Sequence, residues 1–518
     1  MDYPRTHRSD LVEDHFGIQV ADPFRWLEAD ARENEEVAAW VRSQDKLARA
    51  HLAELPSRAR LQHRLTQLFD HRRLTAPRKR GDNYFFTRNS GLDEQAVLVV
   101  VSGGGGAERI LLDPSRWSVD GATALAEWAV SDEGRHVAFA QQDGGSDWRT
   151  IRVLDVETGA VLSDEVAWAR FTAIAWAKDG SGFFYSRFPE PPAEKGFEAP
   201  VTDHAVYFHA LGTHQAEDRL VLDTPPGQVL IHTVEATPDG RFLIVYSSPG
   251  AGSNLVSLVD LHDADWRPRP IVSEFGHNWT YAGNVRQLFF FVTDSGADRG
   301  RIVAVDLSNS ALRFIELVPE HGSRTISDAA LIGGRLLVTV LVDTHMELLR
   351  YDVNGSQDGA VKLPGIGTVG GFQGRPDDYE AFLVFTSYDA PTTIYRYHVA
   401  QRNLTIWAEP QIPIDLDGIM VEQRFYPSKD GTRIPLSVIR RADQAAPAPT
   451  ILYGYGGYGI SMLPTFAPRS WPGLRQAAPT RWPVSVAAAN TGNLGMTRDV
   501  SRRSRTCLTT SSPPRSIW

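Results

Sequence analysis

The chain has 518 residues, 42% of them hydrophobic, with a formal net charge of −10 and a pI near 5.9. That length allows a large core and more than one domain, and the acidic balance argues against a nucleic-acid-binding surface or a polybasic membrane patch. A single cysteine, Cys507, excludes an intramolecular disulfide framework and a cysteine-built zinc site, and with no apolar run of signal-peptide or membrane-spanning length a soluble, cytoplasmic protein is expected.

In chain order, Glu33 to Leu55 reads as an amphipathic helix. Val37, Trp40, Val41, Leu47, Ala48, His51, Leu52 and Leu55 fall near one face, and Pro56 stops it. Glu33, Glu35 and Glu36 sit where the helix dipole favours negative charge and need no other explanation. A second helix is expected over Ser57 to Phe69, so residues 1–73 form a helical arm whose apolar face requires another surface.

From about Asn83 to Trp407 the pattern turns to short apolar, β-branched and aromatic runs between Gly, Asp, Asn and Ser clusters. Ser131-Asp132-Glu133-Gly134 precedes His136 to Phe139, Lys178 to Gly182 precedes Phe183 to Tyr185, and Thr237-Pro238-Asp239-Gly240 precedes Phe242 to Val245. Tight turns feeding strands at intervals of about 45 to 60 residues suit four-stranded propeller blades, with a β-sandwich as the alternative. Gly103 to Gly106 lacks the Lys-Ser or Lys-Thr of a phosphate loop and reads as a hairpin turn. The fifteen histidines show no metal-ligand spacing, most are expected on the surface or on strand faces, and no metal or other cofactor is expected.

Beyond Trp407, Met420 to Tyr426 and Ile434 to Ile439 read as paired strands around Ser428 to Thr432. A buried strand, Thr450 to Tyr453, then runs into Gly454-Tyr455-Gly456-Gly457-Tyr458-Gly459. Such a turn can present backbone N–H groups and a tyrosine hydroxyl to an oxyanion, although on this motif alone the reading as a flexible aromatic turn prevails.

From Tyr3 to about Pro468 the chain resembles the prolyl oligopeptidase family. The resemblance is carried by Asp14-His15-Phe16-Gly17, Asp22-Pro23-Phe24-Arg25-Trp26-Leu27-Glu28, Gly145-Ser146-Asp147-Trp148 and Ala175-Trp176 through Tyr185. It continues in His209-Ala210-Leu211-Gly212-Thr213 with Glu217-Asp218, Phe385-Thr386-Ser387-Tyr388 with Pro391, Lys429 to Pro435, and Leu452-Tyr453-Gly454-Tyr455-Gly456-Gly457. The resemblance implies a seven-bladed β-propeller over residues 74–407, the start of an α/β-hydrolase domain over 408–468, and residues 1–73 as the helical arm of that domain. It implies a serine endopeptidase, acting as a monomer, that cuts short peptides on the carboxyl side of proline. It makes Tyr455 the oxyanion donor and Tyr458 a substrate-pocket aromatic. The alternatives are an oligopeptidase that cuts after basic residues and a propeller-containing binding protein without catalysis.

An α/β-hydrolase orders its triad Ser, acid, His, with the serine on a G-x-S-x-G elbow. The chain contains no such elbow and no histidine after His398, so the triad is absent and the chain is expected to be inactive. From Arg469 to Trp518 there is no Lys, Glu, His, Phe or Tyr, while eight Arg appear. With suitable synonymous codons, shifting the frame back by one nucleotide turns Ala487 to Gly492 into Gly-Gly-Glu-Tyr-Gly. The same shift turns Arg503 to Ser512 into Glu-Lys-Gln-Asp-Val-Phe-Asp-Asp-Phe-Ile. Both phrases resemble what the family carries after its glycine turn, so residues 469–518 read as a disordered, out-of-frame tail.

Overall fold

The structure, a computed structural model, describes residues 3–29, 31, 34–103, 105–190, 202–250, 252–309, 311–443, 451–454, 461–467 and 484–487. The chain divides into two compact units, Met1–Leu68 and Phe69–Trp518.

In the first unit, strands Val12–His15 and Ile18–Ala21 pair antiparallel around a two-residue turn at Phe16 and Gly17, both with positive φ. The Asp14 carboxylate ties that turn by accepting the Gly17 N–H at 2.8 Å. Helix α1 (Glu35–Glu54) begins at Asn34, whose side chain accepts the Val37 N–H at 3.1 Å, and it stops before Pro56 as the sequence predicts. Helix α2 (Arg58–Phe69) follows. In α1 only Val37 is buried, while Val41 and Leu52 stay exposed, so most of the stripe is not covered.

In the second unit, residues 73–408 fold into successive antiparallel sheets. The reason lies in strand alternation. Along Leu288–Thr293, Phe289 and Phe291 enter the core shared with the preceding sheet, and Phe290 enters the core shared with the following one. Phe183 and Tyr185 divide from Phe184 in the same way. A strand buried on both faces loses the polar alternation of a half-exposed strand, which is why these runs are continuously apolar. Each fully buried Phe is worth roughly 1.5–3 kcal/mol relative to exposure. Fourth strands such as Pro268–Val272 and Phe314–Val318 are largely exposed, whereas first strands touch one another around the ring, Ala175–Trp176 against Ile231–Ala236 and Trp279–Val285 against Thr325–Ile332. First strands are therefore innermost and line an axis. The 73–112 sheet meets the 368–408 sheet through Tyr84–Phe382 and Phe86–Trp407 ring contacts, which closes the ring.

The expected tight turns occur where the sequence places them. In Thr237 to Gly240 the threonine hydroxyl accepts the Phe242 N–H at 3.0 Å, and a Cβ on Gly240 would stand 2.4 Å from the Lys178 Cβ of the neighbouring turn. Only glycine permits that approach.

Two expectations are corrected. The seven-bladed propeller of separate four-stranded blades is not what the sheets show. Within residues 73–408 four sheets have four strands, 73–112 has five because its first strand is broken into Arg73–Leu74 and Arg78–Arg80, and 124–222 is one continuous eight-stranded sheet. The fusion comes from strand Val161–Ala169, which is nine residues long and whose last residue pairs with Arg187. The α/β-hydrolase domain is also not found among the described residues. Residues 419–487 give a four-stranded sheet with no helix on it, and only Ile451–Tyr453 and Val484–Ala487 run parallel. A parallel sheet needs crossover helices, and α1 and α2 are the described α-helices. Within 469–518 the described residues are that strand, paired antiparallel to Arg433–Arg441. No described helix is long and apolar enough to cross a membrane.

Candidate functional site

The ring has two poles, set by strand direction. Connections between second and third strands, and between successive sheets, lie at one pole; turns between first and second strands lie at the other. The 419–487 sheet meets the first pole, here called proximal. Gln423 Nε2 donates to Thr344 Oγ1 at 3.1 Å, Thr368 Oγ1 donates to the Pro464 carbonyl at 2.7 Å, and the Phe466 N–H donates to Thr386 Oγ1 at 3.1 Å. Tyr388 lies beside Ser437, and burial pushes its hydroxyl pKa up.

The expected hairpin is present as Ile419–Pro427 against Arg433–Arg441, with Arg433 stacked 3.6 Å over Phe425. In the order Ile419–Pro427, Arg433–Arg441, Val484–Ala487, Ile451–Tyr453, the carboxyl ends of the last two strands emerge at one edge, together with the Ser428 to Thr432 turn. Open sheets containing parallel strands bind ligands outside such carboxyl ends. Tyr453 and Gly454 lie at this edge. Tyr455 and Tyr458, the oxyanion and pocket residues expected from sequence, fall outside the described residues.

A cavity of about 330 Å³ opens at the proximal pole where the chain enters and leaves the ring, lined by Phe69, His71, Leu74, Ile394, Pro410 and Phe466 among others. Its wall is mostly apolar. Arg73 at its rim is already engaged, donating to the Phe69 carbonyl at 2.8 Å, to Asn89 Oδ1 at 2.9 Å and to the Gly91 carbonyl at 2.7 Å. The cavity suits an apolar side chain better than an ion.

The axis itself is polar. Glu235 lies on an innermost strand; solvent reaches it, yet surrounding sheets desolvate it enough to push its carboxyl up to about 7, with Tyr246 pulling down and Asp328 pushing up. Tyr246 donates to Glu235 at 3.4 Å and accepts the Tyr281 N–H at 3.0 Å. Burial likewise raises Asp328 and Glu127, the latter against the pull of Arg149 at 3.2 Å and of Arg78. Two groups of charge thus lie on first strands, Glu235 with Asp328 and Glu127 with Arg78. Sequence reasoning missed them, although the strict alternation Arg78-Lys79-Arg80 on a first strand is a signal that two of the three face one way.

It also missed the polar core. His204, His209 and His232 are fully buried, the last two on strands Ala205–Ala210 and Ile231–Ala236. Both ring nitrogens of His209 are hydrogen-bonded to carboxylates, Nδ1 with Asp218 at 2.7 Å and Nε2 with Asp164 at 3.2 Å. Burial disfavours its charge, but the two carboxylates outweigh burial and hold its pKa above the ordinary value. His204 and His232 lack such partners, and burial pushes each down to about 4.

Comparison with known proteins gives the wider setting. The family described as "Prolyl oligopeptidase, N-terminal beta-propeller domain" matches residues 4–410. A prolyl endopeptidase of Elizabethkingia meningoseptica is 33% identical over 471 residues, covering 90% of this chain and 65% of the relative; one from Elizabethkingia miricola is 32% identical with the same coverage. This chain therefore spans about two thirds of the length of these relatives. Among solved structures, one from a study of two prolyl endopeptidases and the role of inter-domain dynamics in catalysis and specificity is 37% identical. It has a TM-score of 0.72, covering 94% of this chain and 69% of that one. Prolyl oligopeptidase B from Galerina marginata, bound to a 25mer macrocyclization substrate, is 25% identical with a TM-score of 0.87, covering 95% and 72%.

Proposed function

The chain belongs to the prolyl oligopeptidase family, and from that premise we propose that it is the propeller-bearing part of a serine endopeptidase cleaving short peptides on the carboxyl side of proline. The observation that carries this reading is the seating of the 419–487 sheet on the proximal pole, with the strand that leads into the glycine-tyrosine turn at its edge. In this reading the ring restricts which peptides reach that edge, Tyr455 donates to the oxyanion and Tyr458 lines the substrate pocket. No cofactor is needed.

A donor to an oxyanion assists only if an oxyanion forms. Covalent peptide hydrolysis needs a serine to attack, a histidine to move its proton and an acid to orient the histidine. These 518 residues hold neither a G-x-S-x-G elbow nor a histidine after His398, so by themselves they bind peptide without turning it over. Residues 469–518 are read as translation in a shifted frame. The test is turnover of a short blocked peptide ending in a proline-linked reporter, measured on the 518-residue chain and on the product of a gene restored to the other frame near codon 469. The restored product should cleave after proline and the 518-residue chain should not. Inhibitor-sensitive turnover by the short form, cleavage only after Lys or Arg by the long form, or stop codons before a serine elbow in the other frame would each overturn a part of this proposal.

A further inference from the structure

The innermost strand Arg78–Arg80 directs Arg78 and Arg80 to one side and Lys79 to the other. Lys79 is paired, with Glu380 at 3.0 Å. Arg78 and Arg80 are not: among the described residues neither guanidinium pairs with a carboxylate. Arg78 stacks 4.3 Å over the Trp128 ring and donates to the Trp128 carbonyl at 2.7 Å; Arg80 donates only to the carbonyl of its own neighbour Lys79, at 2.8 Å.

Both side chains are half-buried, and they sit where three distal turns converge. A Cβ on Gly134 would come within 3.1 Å of the Arg80 carbonyl, and one on Gly81 within 3.6 Å of the Glu133 carbonyl, so the 81–82 and 131–134 turns touch. Arg375, on the 374–379 turn, is ion-paired to Asp132 of the 131–134 turn. The nearby acids are committed elsewhere. Asp132 holds Arg375, Glu127 holds Arg149, Asp378 accepts the Arg375 N–H at 2.9 Å, and Glu133 reaches toward Gly180. Asp82 lies exposed on its turn.

A half-buried cation without a counter-ion is costly to hold. Burial first, then the charges of Arg375 and Arg78, push Arg80 down to about 10, with Asp378 opposing; burial also lowers Arg78 against the pull of Glu127. We propose that the place where the 81–82, 131–134 and 374–379 turns meet is a binding site for an oxyanion, a carboxylate or phosphate group, held between the guanidiniums of Arg78 and Arg80. A guanidinium pair binds either group through charge-assisted, fork-like hydrogen bonds. The site goes beyond the peptidase reading, which bears only on the choice of a peptide carboxylate as one probe.

Isothermal titration calorimetry on the 518-residue chain at low salt tests it with three probes: inorganic phosphate, acetyl-Ala-Ala with a free carboxylate, and the same peptide as its amide. Phosphate and the free acid should bind competitively, and the amide should bind at least about tenfold more weakly. Arg80→Gln and Arg78→Gln should each lower acid and phosphate affinity by about tenfold, while Arg80→Lys retains part of it. Because Arg80 is an uncompensated cation, R80Q should melt no lower than the parent chain, which separates lost binding from lost folding. Binding of phosphate alone, or of the peptide acid alone, through these arginines supports the site and identifies the source of the oxyanion. No binding of either, equal binding of acid and amide together with no phosphate binding, or affinities unchanged in both variants would overturn it. No turnover is measured, so a failed peptidase assignment leaves this result standing.

Discussion

Two seams of the ring are built on different physics. Between the 231–272 and 279–318 sheets the contact is a continuous apolar core in which Phe242 meets Phe289 edge-on at 5.3 Å, with Ile244, Tyr281 and Phe291 around them. Between the 73–112 and 368–408 sheets, whose strands are farthest apart in sequence, aromatic contacts share the seam with a buried carboxylate. Glu380, 2% exposed, accepts from Tyr84 at 2.8 Å and pairs with Lys79 at 3.0 Å and Arg396 at 3.2 Å. Burial pushes the Glu380 carboxyl up, but Tyr84, Lys79 and Arg396 together outweigh it and hold the pKa below the ordinary value; burial and Glu380 push Tyr84 up to about 12. Neighbouring sheets joined by a short connection can rely on non-directional packing. The closing seam has to bring residues 79 and 380 together across the whole chain, and an ion network fixes its register at a desolvation cost.

The contrast is tested most severely by truncation in the apolar seam. Phe289→Ala should cost about 3–5 kcal/mol, because a fully buried ring leaves a cavity its rigid neighbours cannot fill. The loss should be the same at pH 4 and pH 7. An effect under 1 kcal/mol in urea unfolding would mean the seam collapses around the gap and is not close-packed.

Glu380→Gln should follow, at about 3 kcal/mol, since it leaves Lys79 and Arg396 without their counter-ion in a buried site. Its pH signature separates the two seams. A carboxyl held below its unfolded value contributes stability that is fully present above about pH 4.3 and is lost as pH falls through the folded value. Hydrogen exchange in strands Asn83–Asn89 and Glu380–Thr386 should therefore accelerate in acid in the parent chain, and E380Q should remove that extra acid response. Equal acid lability across the 231–318 seam would erase the distinction drawn here.

The smallest effect expected is that of salt. Raising NaCl from 0.05 to 0.5 M should change stability by less than about 1 kcal/mol, because the Glu380 cluster is shielded from the ions that screen surface pairs. A larger loss would show that the closing seam opens to solvent.

Much of the ring was legible in the linear pattern. Turns such as Thr237 to Gly240 and strands such as Phe242–Ser248 announce themselves through local chemistry, a hydroxyl or carboxylate that caps a turn followed by a run of apolar residues. The helices were equally plain, Glu35–Glu54 falling within the expected Glu33 to Leu55 and Arg58–Phe69 within Ser57 to Phe69, with Pro56 between them. Sheet membership was not, because one backbone pair, Ala169 with Arg187, decides whether eight strands count as one sheet or two. For the site, the sequence supplied Tyr455 and Tyr458 by resemblance, and neither lies among the described residues. What the fold supplied instead was the pairing of Glu235 with Asp328 and the neighbourhood of Arg78, Arg80 and Arg375, whose members are far apart in sequence and share no local motif.

By itself, then, the sequence determined the local structure, the extent of the β region, the family and the absence of a serine elbow, since each of these is written in neighbouring residues or short phrases. Only the tertiary structure decided that His209 is clamped between Asp164 and Asp218, that Glu380 closes the ring on Lys79, and that Arg78 stacks on Trp128 while neither it nor Arg80 has a carboxylate partner among the described residues. Charge and burial at those positions depend on which distant strands meet. That is fixed when whole sheets pack face to face, and no window of the chain contains it.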